Sequence, residues 1–316
     1  MNIGLIGFGY WGKNLYRNLL ISDQIKKIYI LDTQKQKLKH NKKVSFFLDA
    51  KIFFKNKDID AFIISTPTST HFKYIKLCLK LDKFVCVTKP ITNNLKQLIN
   101  LKKNFNNTNK IFLDHTYLFH SSINFIEKFV KRKKLGKLIY YDSERISFGK
   151  FYKDVDVIDD LAIHDLYILD HILGGQSPNK VSVTSHNNFG NKNFLSNITL
   201  RYPSGFFANI KVSWYSPIKS RRILLAGNKK IIEFDDNESD KKIKIYNKGI
   251  EYNKKNVNQW LYRTGSIEVP NIPHTESLTV MINEYIKFIK KKKKSFNKFE
   301  HAQRVMKVLE LIRSAL

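Results

Sequence analysis

The sequence predicts an α/β chain of two domains. The first is an N-terminal doubly wound parallel sheet, and the second is an α+β domain with a large, mostly antiparallel open sheet. Three observations lead there. Strands and helices alternate up to about residue 113, as parallel strands joined by crossover helices require. A glycine-rich turn lies directly between the first strand and the first helix. From 180 to 252 the pattern becomes successive strands separated by Gly, Asn and Pro turns, which suits antiparallel pairing. The chain of 316 residues divides on this reading into 1–119 and 120–316.

Residues 2–7 read as a short buried strand, and 12–21 as a helix with Leu15, Leu19 and Leu20 on one face. The next strand, 27–31, ends at Asp32. Strand 61–65, helix 70–81, strand 84–88, helix 94–105 and strand 110–113 continue the alternation. A helix at 121–134 precedes strand 137–145, and a long helix at 157–173 is stopped by Gly174-Gly175. Strands are expected at 180–186, 195–202, 206–214, 221–226, 230–235 and 242–246. Helices at 275–292 and 299–315 close the chain, with the lysine run 290–294 as a solvated helix end where cations suit the macrodipole.

Composition narrows the function classes. With 42% apolar and 26% charged residues, wholesale disorder is excluded. No uninterrupted apolar stretch approaches the roughly 20 residues of a membrane-crossing helix. Met1-Asn2 leads straight into Ile3 without a basic leader, so the expectation is a soluble, cytoplasmic protein. Cys78 and Cys86 sit in apolar surroundings and read as reduced packing residues. The net charge of +29 rests on 47 lysines against 9 arginines, spread over the whole length. Phosphate and base recognition favours arginine forks. Dispersed lysine beside abundant Ile and Asn instead fits a genome rich in A/T codons. No nucleic-acid partner is expected, whereas an anionic small substrate fits the charge.

Gly7-Phe8-Gly9-Tyr10-Trp11-Gly12 has the G-x-G-x-x-G spacing after a strand and at the start of a helix. The first glycine permits the tight turn and the second lets a pyrophosphate approach the backbone. The third lets helix and strand pack closely, while free N–H groups at the helix start face the phosphates. An acid is required about 20 residues further on, and Asp32 supplies it, placed to accept both ribose hydroxyls. Thr33 and Gln34 follow with no arginine, so the expected cofactor is NAD, although Lys35 and Lys37 leave NADP open.

Two more strand ends reach the same sheet edge. Thr88-Lys89-Pro90 puts Lys89 where open α/β sheets bind ligands. Ser65-Thr66-Pro67-Thr68-Ser69-Thr70-His71 offers Thr66, Pro67, Thr68 and His71 as cofactor contacts. On the long helix, at about 100° per residue, Asp156, Asp160, His164, Tyr167 and His171 share one side. Ile158, Leu161, Ala162, Leu166, Leu169, Ile172 and Leu173 take the other, as a core face. Asp160 and His164, four apart, suit either a helix salt bridge on a solvated face or an acid/base pair, since a carboxylate neighbour orients an imidazole and raises its basicity. No metal is expected, because the stripe has neither an H-E-x-x-H pattern nor a cysteine set. Asp165 falls among apolar positions, so it should be hydrogen-bonded to backbone or to a basic side chain.

In order along the chain stand G-F-G-Y-W-G-K-N (7–14), S-T-P-T-S-T-H (65–71), T-K-P (88–90), D-H-T-Y (114–117) and D-L-A-I-H-D (160–165). With Ser213-Trp214, Arg221-Arg222, Gly227 and the final helix, they resemble the glucose–fructose oxidoreductase / inositol dehydrogenase (Gfo/Idh/MocA) family over nearly the whole length. The resemblance implies an N-terminal Rossmann domain and a C-terminal α/β domain whose open sheet joins copies into a homodimer or homotetramer. It implies oxidation or reduction of a secondary alcohol of a sugar, with a nucleotide-linked sugar of surface-polysaccharide synthesis first and a cyclitol or free aldose second. Lys89 would then bind and polarise the hydroxyl, His164 would be the acid/base, and Asp160 would orient them. Tyr117, His120, Arg145 and Lys150 are the candidates for sugar contacts.

The chain departs from the family pattern at three places. Thr88 stands where a glutamate usually precedes the lysine, Asp114 replaces a glycine before His115, and Phe119-His120 replaces a tyrosine–asparagine pair. The Thr88 departure keeps a second class in view, a dinucleotide-binding regulator without catalysis. Retention of Lys89, Asp160 and His164 favours the enzyme.

Overall fold

The computed structural model describes residues 1–36, 41–149, 151, 155–187, 192–252, 260–290 and 299–316. Lys37, Lys150 and Lys291–Lys294 lie outside these residues. The chain forms two compact units, Met1–Phe119 with Thr275–Gln303, and His120–His274 with Arg304–Leu316.

The first unit begins β1 (Asn2–Ile6), α1 (Tyr10–Ile21), β2 (Lys27–Leu31), β3 (Val44–Phe47), α2 (Ala50–Lys55), β4 (Ala61–Ile64), α3 (Thr68–Lys80), β5 (Phe84–Thr88), α4 (Leu95–Asn104) and β6 (Ile111–Asp114). Among the described residues its six strands are all parallel, in the order β3-β2-β1-β4-β5-β6. Strands covered on both faces read as continuous apolar runs, and Leu5, Ile28, Ile30, Ile63 and Val85 are fully buried here. Strand order reverses between β1 and β4, the position where such sheets bind ligands at their carboxyl edge. The periodicity did not reveal β3 or α2. The first is four half-buried or exposed residues and the second only six, held at its start by Asp49, whose Oδ1 accepts from Lys51 N at 2.6 Å.

The second unit holds α5 (Ser121–Lys131), β7 (Leu138–Ile146), α6 (Ile163–Ile172), β8 (Lys180–His186), β9 (Leu195–Arg201), β10 (Phe207–Ser213), β11 (Ser220–Gly227), β12 (Ile231–Asp235), β13 (Ile243–Tyr252) and β14 (Trp260–Glu268). One eight-stranded sheet runs β14-β13-β12-β11-β7-β10-β9-β8. Among the described residues only the β7–β10 pair is parallel, so the sheet is mostly antiparallel as expected. Period-two alternation sends Tyr141, Ser143 and Arg145 of β7 inward with Ile198 and Leu200 of β9. The strand β14 gave no sequence signal because nearly all its side chains are exposed, leaving no alternation to read.

One segment corrects the sequence reading. The expected long helix is not uniform: Ile163 N–H bonds Ile158 O, five residues back, making Ile158–Ala162 a π-helical turn ahead of α6. A π turn adds a residue to one turn, so a single 100° wheel does not span it, and such turns often mark functional segments. Tyr167, placed on the polar side, is 1% exposed. Within the segment 120–316, α7 (Ser277–Ile289) belongs to the first compact unit. Its apolar face is buried there through Met281 and Ile282, and the Tyr285 hydroxyl donates to Phe62 O at 2.8 Å, so the buried phenol keeps a partner. Glu276, at its start, accepts from Arg17 of α1 at 2.5 Å. The last helix, α8, covers Phe299–Ser314.

Candidate functional site

In the glycine-rich turn each glycine has a separate task. Gly7 has φ +95°, a region costly for residues with a Cβ, and its N–H donates to Leu31 O at 2.8 Å. A Cβ on Gly12 would lie 2.3 Å from Gly7 O, so close packing of helix on strand depends on its absence. A Cβ on Gly9 would meet nothing within 4 Å, which leaves the open approach a pyrophosphate needs. The first turn of α1 carries no acidic residue and no side-chain cap, so its amide groups suit an anion. Asp32 closes the turn: Oδ2 accepts from Phe8 N at 2.6 Å and Oδ1 from Gln34 N at 3.0 Å. These residues fit a dinucleotide.

The neighbouring side chains are placed less uniformly. Tyr10 is 85% exposed, whereas the Phe8 ring is core and packs edge-on against Tyr16 and Phe46, so Phe8 serves through its backbone. The Trp11 indole N–H donates to Asp114 Oδ2 at 2.6 Å. Ser65 Oγ donates to Gly7 O at 2.8 Å, which ties the segment after β4 to the turn, and Thr70 Oγ1 donates to Thr66 Oγ1 at 2.6 Å within that segment. His71 corrects the expectation of a cofactor contact. It is buried, with Nε2 2.7 Å from Thr66 O and Nδ1 2.9 Å from Pro90 O, so the ring joins the ends of β4 and β5. Burial pushes its pKa below the ordinary histidine value, against the pull of those carbonyls. Lys89, half-buried, follows the last residue of β5, at the same carboxyl edge as Asp32. Tyr117 is half-buried in the short turn Thr116–Phe119.

In the second unit, the acidic residues from 156 to 170 each have a partner distant in sequence. Asp156 Oδ1 caps Ile158 N at 2.8 Å, and its Oδ2 accepts from Asn193 Nδ2 at 2.9 Å. Asp159 pairs with Arg313 at 2.7 Å, and Asp170 with Arg304 through two bonds of 2.7 and 2.8 Å. Asp160 Oδ2 accepts from the Trp214 indole N–H at 3.1 Å. Half-buried His164 stands in the first turn of α6.

Asp165 has the basic partner expected of it. It is fully buried and accepts from Arg145 Nε at 2.5 Å and Tyr141 Oη at 2.6 Å. That removes Arg145 from the sugar contacts: it is 4% exposed, and its guanidinium is turned to this carboxylate. His120 caps α5, accepting from Ser122 N at 3.2 Å, and lies edge-on to Phe234 with Nε2 3.6 Å from Asp236. Burial lowers its pKa, with Asp236 opposing. The sequence carries no local signal for the Trp11–Asp114 bond, and Trp214 stands in it only within a motif, with nothing that marks its bond to Asp160.

A family model described as an oxidoreductase family with an NAD-binding Rossmann fold matches residues 1–115, and its C-terminal alpha/beta companion matches 128–315. The chain belongs to the Gfo/Idh/MocA family. Its first unit is therefore an NAD-binding Rossmann domain, as the glycine turn and Asp32 had indicated. Gfo/Idh/MocA relatives include the 2,7-anhydro-N-acetylneuraminate hydratase of Escherichia coli K12, 23% identical over 264 residues, 78% of this chain and 70% of that protein. The UDP-N-acetylglucosamine 3-dehydrogenase of Acidithiobacillus ferrooxidans is 26% identical over 198 residues, 61% of this chain and 60% of that protein. Its solved structure matches with TM-score 0.81 at 20% identity, covering 100% of this chain and 97% of that one, a likeness of fold. A myo-inositol dehydrogenase from Corynebacterium glutamicum has TM-score 0.78 at 17% identity, covering 100% and 96%.

Proposed function

We propose that this protein transfers a hydride between NAD and a secondary alcohol or ketone of a nucleotide-linked sugar. One observation carries the reading. A glycine turn closed by a carboxylate, Asp32, shares the carboxyl edge of one parallel sheet with a lysine, Lys89. Nicotinamide, when bound at this turn, would supply the hydride chemistry. Asp32 favours NAD, because a 2′-phosphate would meet a carboxylate whose nearest donors are backbone N–H groups. In this reading the Lys89 ammonium binds the reacting oxygen and stabilises its developing negative charge. His164 takes the hydroxyl proton in the oxidising direction and returns it in the reducing one. Asp160, held by Trp214, orients the imidazole. Tyr117 and His120 remain the candidate sugar contacts. The substrate class is supported by the relative named as a UDP-N-acetylglucosamine dehydrogenase.

The test is to incubate the protein with NAD and panels of nucleotide sugars, cyclitols and free aldoses, following reduced-nicotinamide absorbance. Turnover of a nucleotide sugar above the others is the expected result. A response confined to cyclitols or aldoses would move the substrate class, and NAD binding without hydride exchange across all panels would leave a non-catalytic regulator. The hydratase relative, which matches 78% of this chain, favours a second reading: net hydration of an anhydro sugar. A change in product mass by one water at constant reduced-nicotinamide absorbance would select it.

A further inference from the structure

Asp114 ends β6 and is the register partner of Thr88 on β5, the residue immediately before Lys89. Asp114 is 2% exposed. Two neutral donors satisfy it: Trp11, from the first turn of α1, on Oδ2 at 2.6 Å, and the Thr116 hydroxyl on Oδ1 at 3.3 Å. A buried charge is costly even when hydrogen-bonded, and burial raises the Asp114 pKa to about 6. The positive charge of Lys89 works in the opposite direction. The other titratable group that β5 brings near is the Cys86 thiol, raised by burial and by this same carboxylate. Buried His115 follows in the chain, and α7 packs on the Thr116–Phe119 turn with its Tyr285 hydroxyl spent on Phe62 O.

We propose that Asp114 is a positioning residue that joins the two halves of the sheet edge, holding Trp11 of the glycine-rich turn by a hydrogen bond and the ammonium of Lys89 by its charge. Thr88 places no charge beside Lys89, and Asp114 supplies one from the adjacent strand. As pH falls through the Asp114 titration, the carboxyl group keeps its acceptor for Trp11 but loses the field at Lys89. The consequence for turnover rests on the reading of Lys89 as the hydroxyl-binding lysine. The link itself is an equilibrium property of the free protein.

Indole fluorescence of the full chain between pH 4.5 and 8 tests the link without substrate. The wild type should show a transition near pH 6, absent in Trp11→Phe and in Asp114→Asn. In Lys89→Met the midpoint should rise by roughly 0.5 unit or more, because the charge favouring the carboxylate has gone. A transition that survives Asp114→Asn would overturn the proposal. So would an unmoved midpoint in Lys89→Met, a measurement that stands even where Asp114→Asn fails to fold. With a substrate in hand, Asp114→Asn should lower kcat/KM ~10–100-fold at pH 8, and Asp114→Glu should recover part of it. A normal fluorescence link with no hydride exchange would sink the oxidoreductase reading and leave Asp114 standing. Hydride exchange without the link would do the reverse.

Discussion

The sheet edge of the first unit and the helical segment 156–172 of the second reach their polar arrangements by different routes. At the sheet edge, backbone groups and short turns do most of the work: Gly7, Gly9, Gly12 and Asp32 act within 26 residues, through conformation and main-chain bonds. Along the helical segment, Asp156, Asp159, Asp160, Asp165 and Asp170 each pair with a residue brought by the fold, from Arg145 to Arg313. Local chemistry is legible in a sequence. Pairing across tens of residues is not.

The largest expected effect breaks the comparison at its chemical end. His164→Asn should lower kcat ~10²–10⁴-fold, the usual loss of an acid/base group, while NAD affinity stays at the wild-type value in a fluorescence titration. An unchanged kcat would remove His164 from the reaction. Next comes Arg145→Ala, which strands the Asp165 carboxylate in the core and should cost about 3–5 kcal/mol in urea unfolding. A cost below about 1 kcal/mol would show that the pair is not structural.

A smaller effect, up to about 3 kcal/mol, attaches to Asp114, whose carboxyl is raised from its ordinary 3.8 to about 6. Between those values the folded state binds more protons than the unfolded one, so its contribution lowers stability as pH rises and the penalty is complete above about 6. Asp114→Asn should therefore be more stable than wild type at pH 8, with the difference shrinking toward pH 4 in thermal melts. A residue that is less stable in the form that supports activity fits a positioning role. Smallest is Trp214→Phe, which removes the donor to Asp160. It should reduce kcat about tenfold with KM for NAD unchanged.

The departures from the family pattern show how far the sequence could be read. Thr88 and Asp114 look independent along the chain, 26 residues apart, yet they are partners across β5 and β6. Sequence position makes Arg145 a candidate sugar contact and asks only that Asp165 find a backbone or basic partner, without saying which; the two form one buried ion pair. His71 was assigned to the cofactor from its position after β4, but its ring is enclosed between two carbonyls. The π turn at Ile158–Ala162 escaped because its residues suit an ordinary helix equally well.

Local periodicity and turn chemistry were sufficient for the parallel sheet, the cofactor turn and its acid, because each follows from residues close in the chain: apolar runs, glycine geometry and a strand-end carboxylate. Strand register and helix docking decided which polar side chains are occupied structurally. Partners such as Trp11 with Asp114, Trp214 with Asp160 and Arg145 with Asp165 meet only after the backbone has folded. The demand that every buried charge find a donor then selects among the residues brought together.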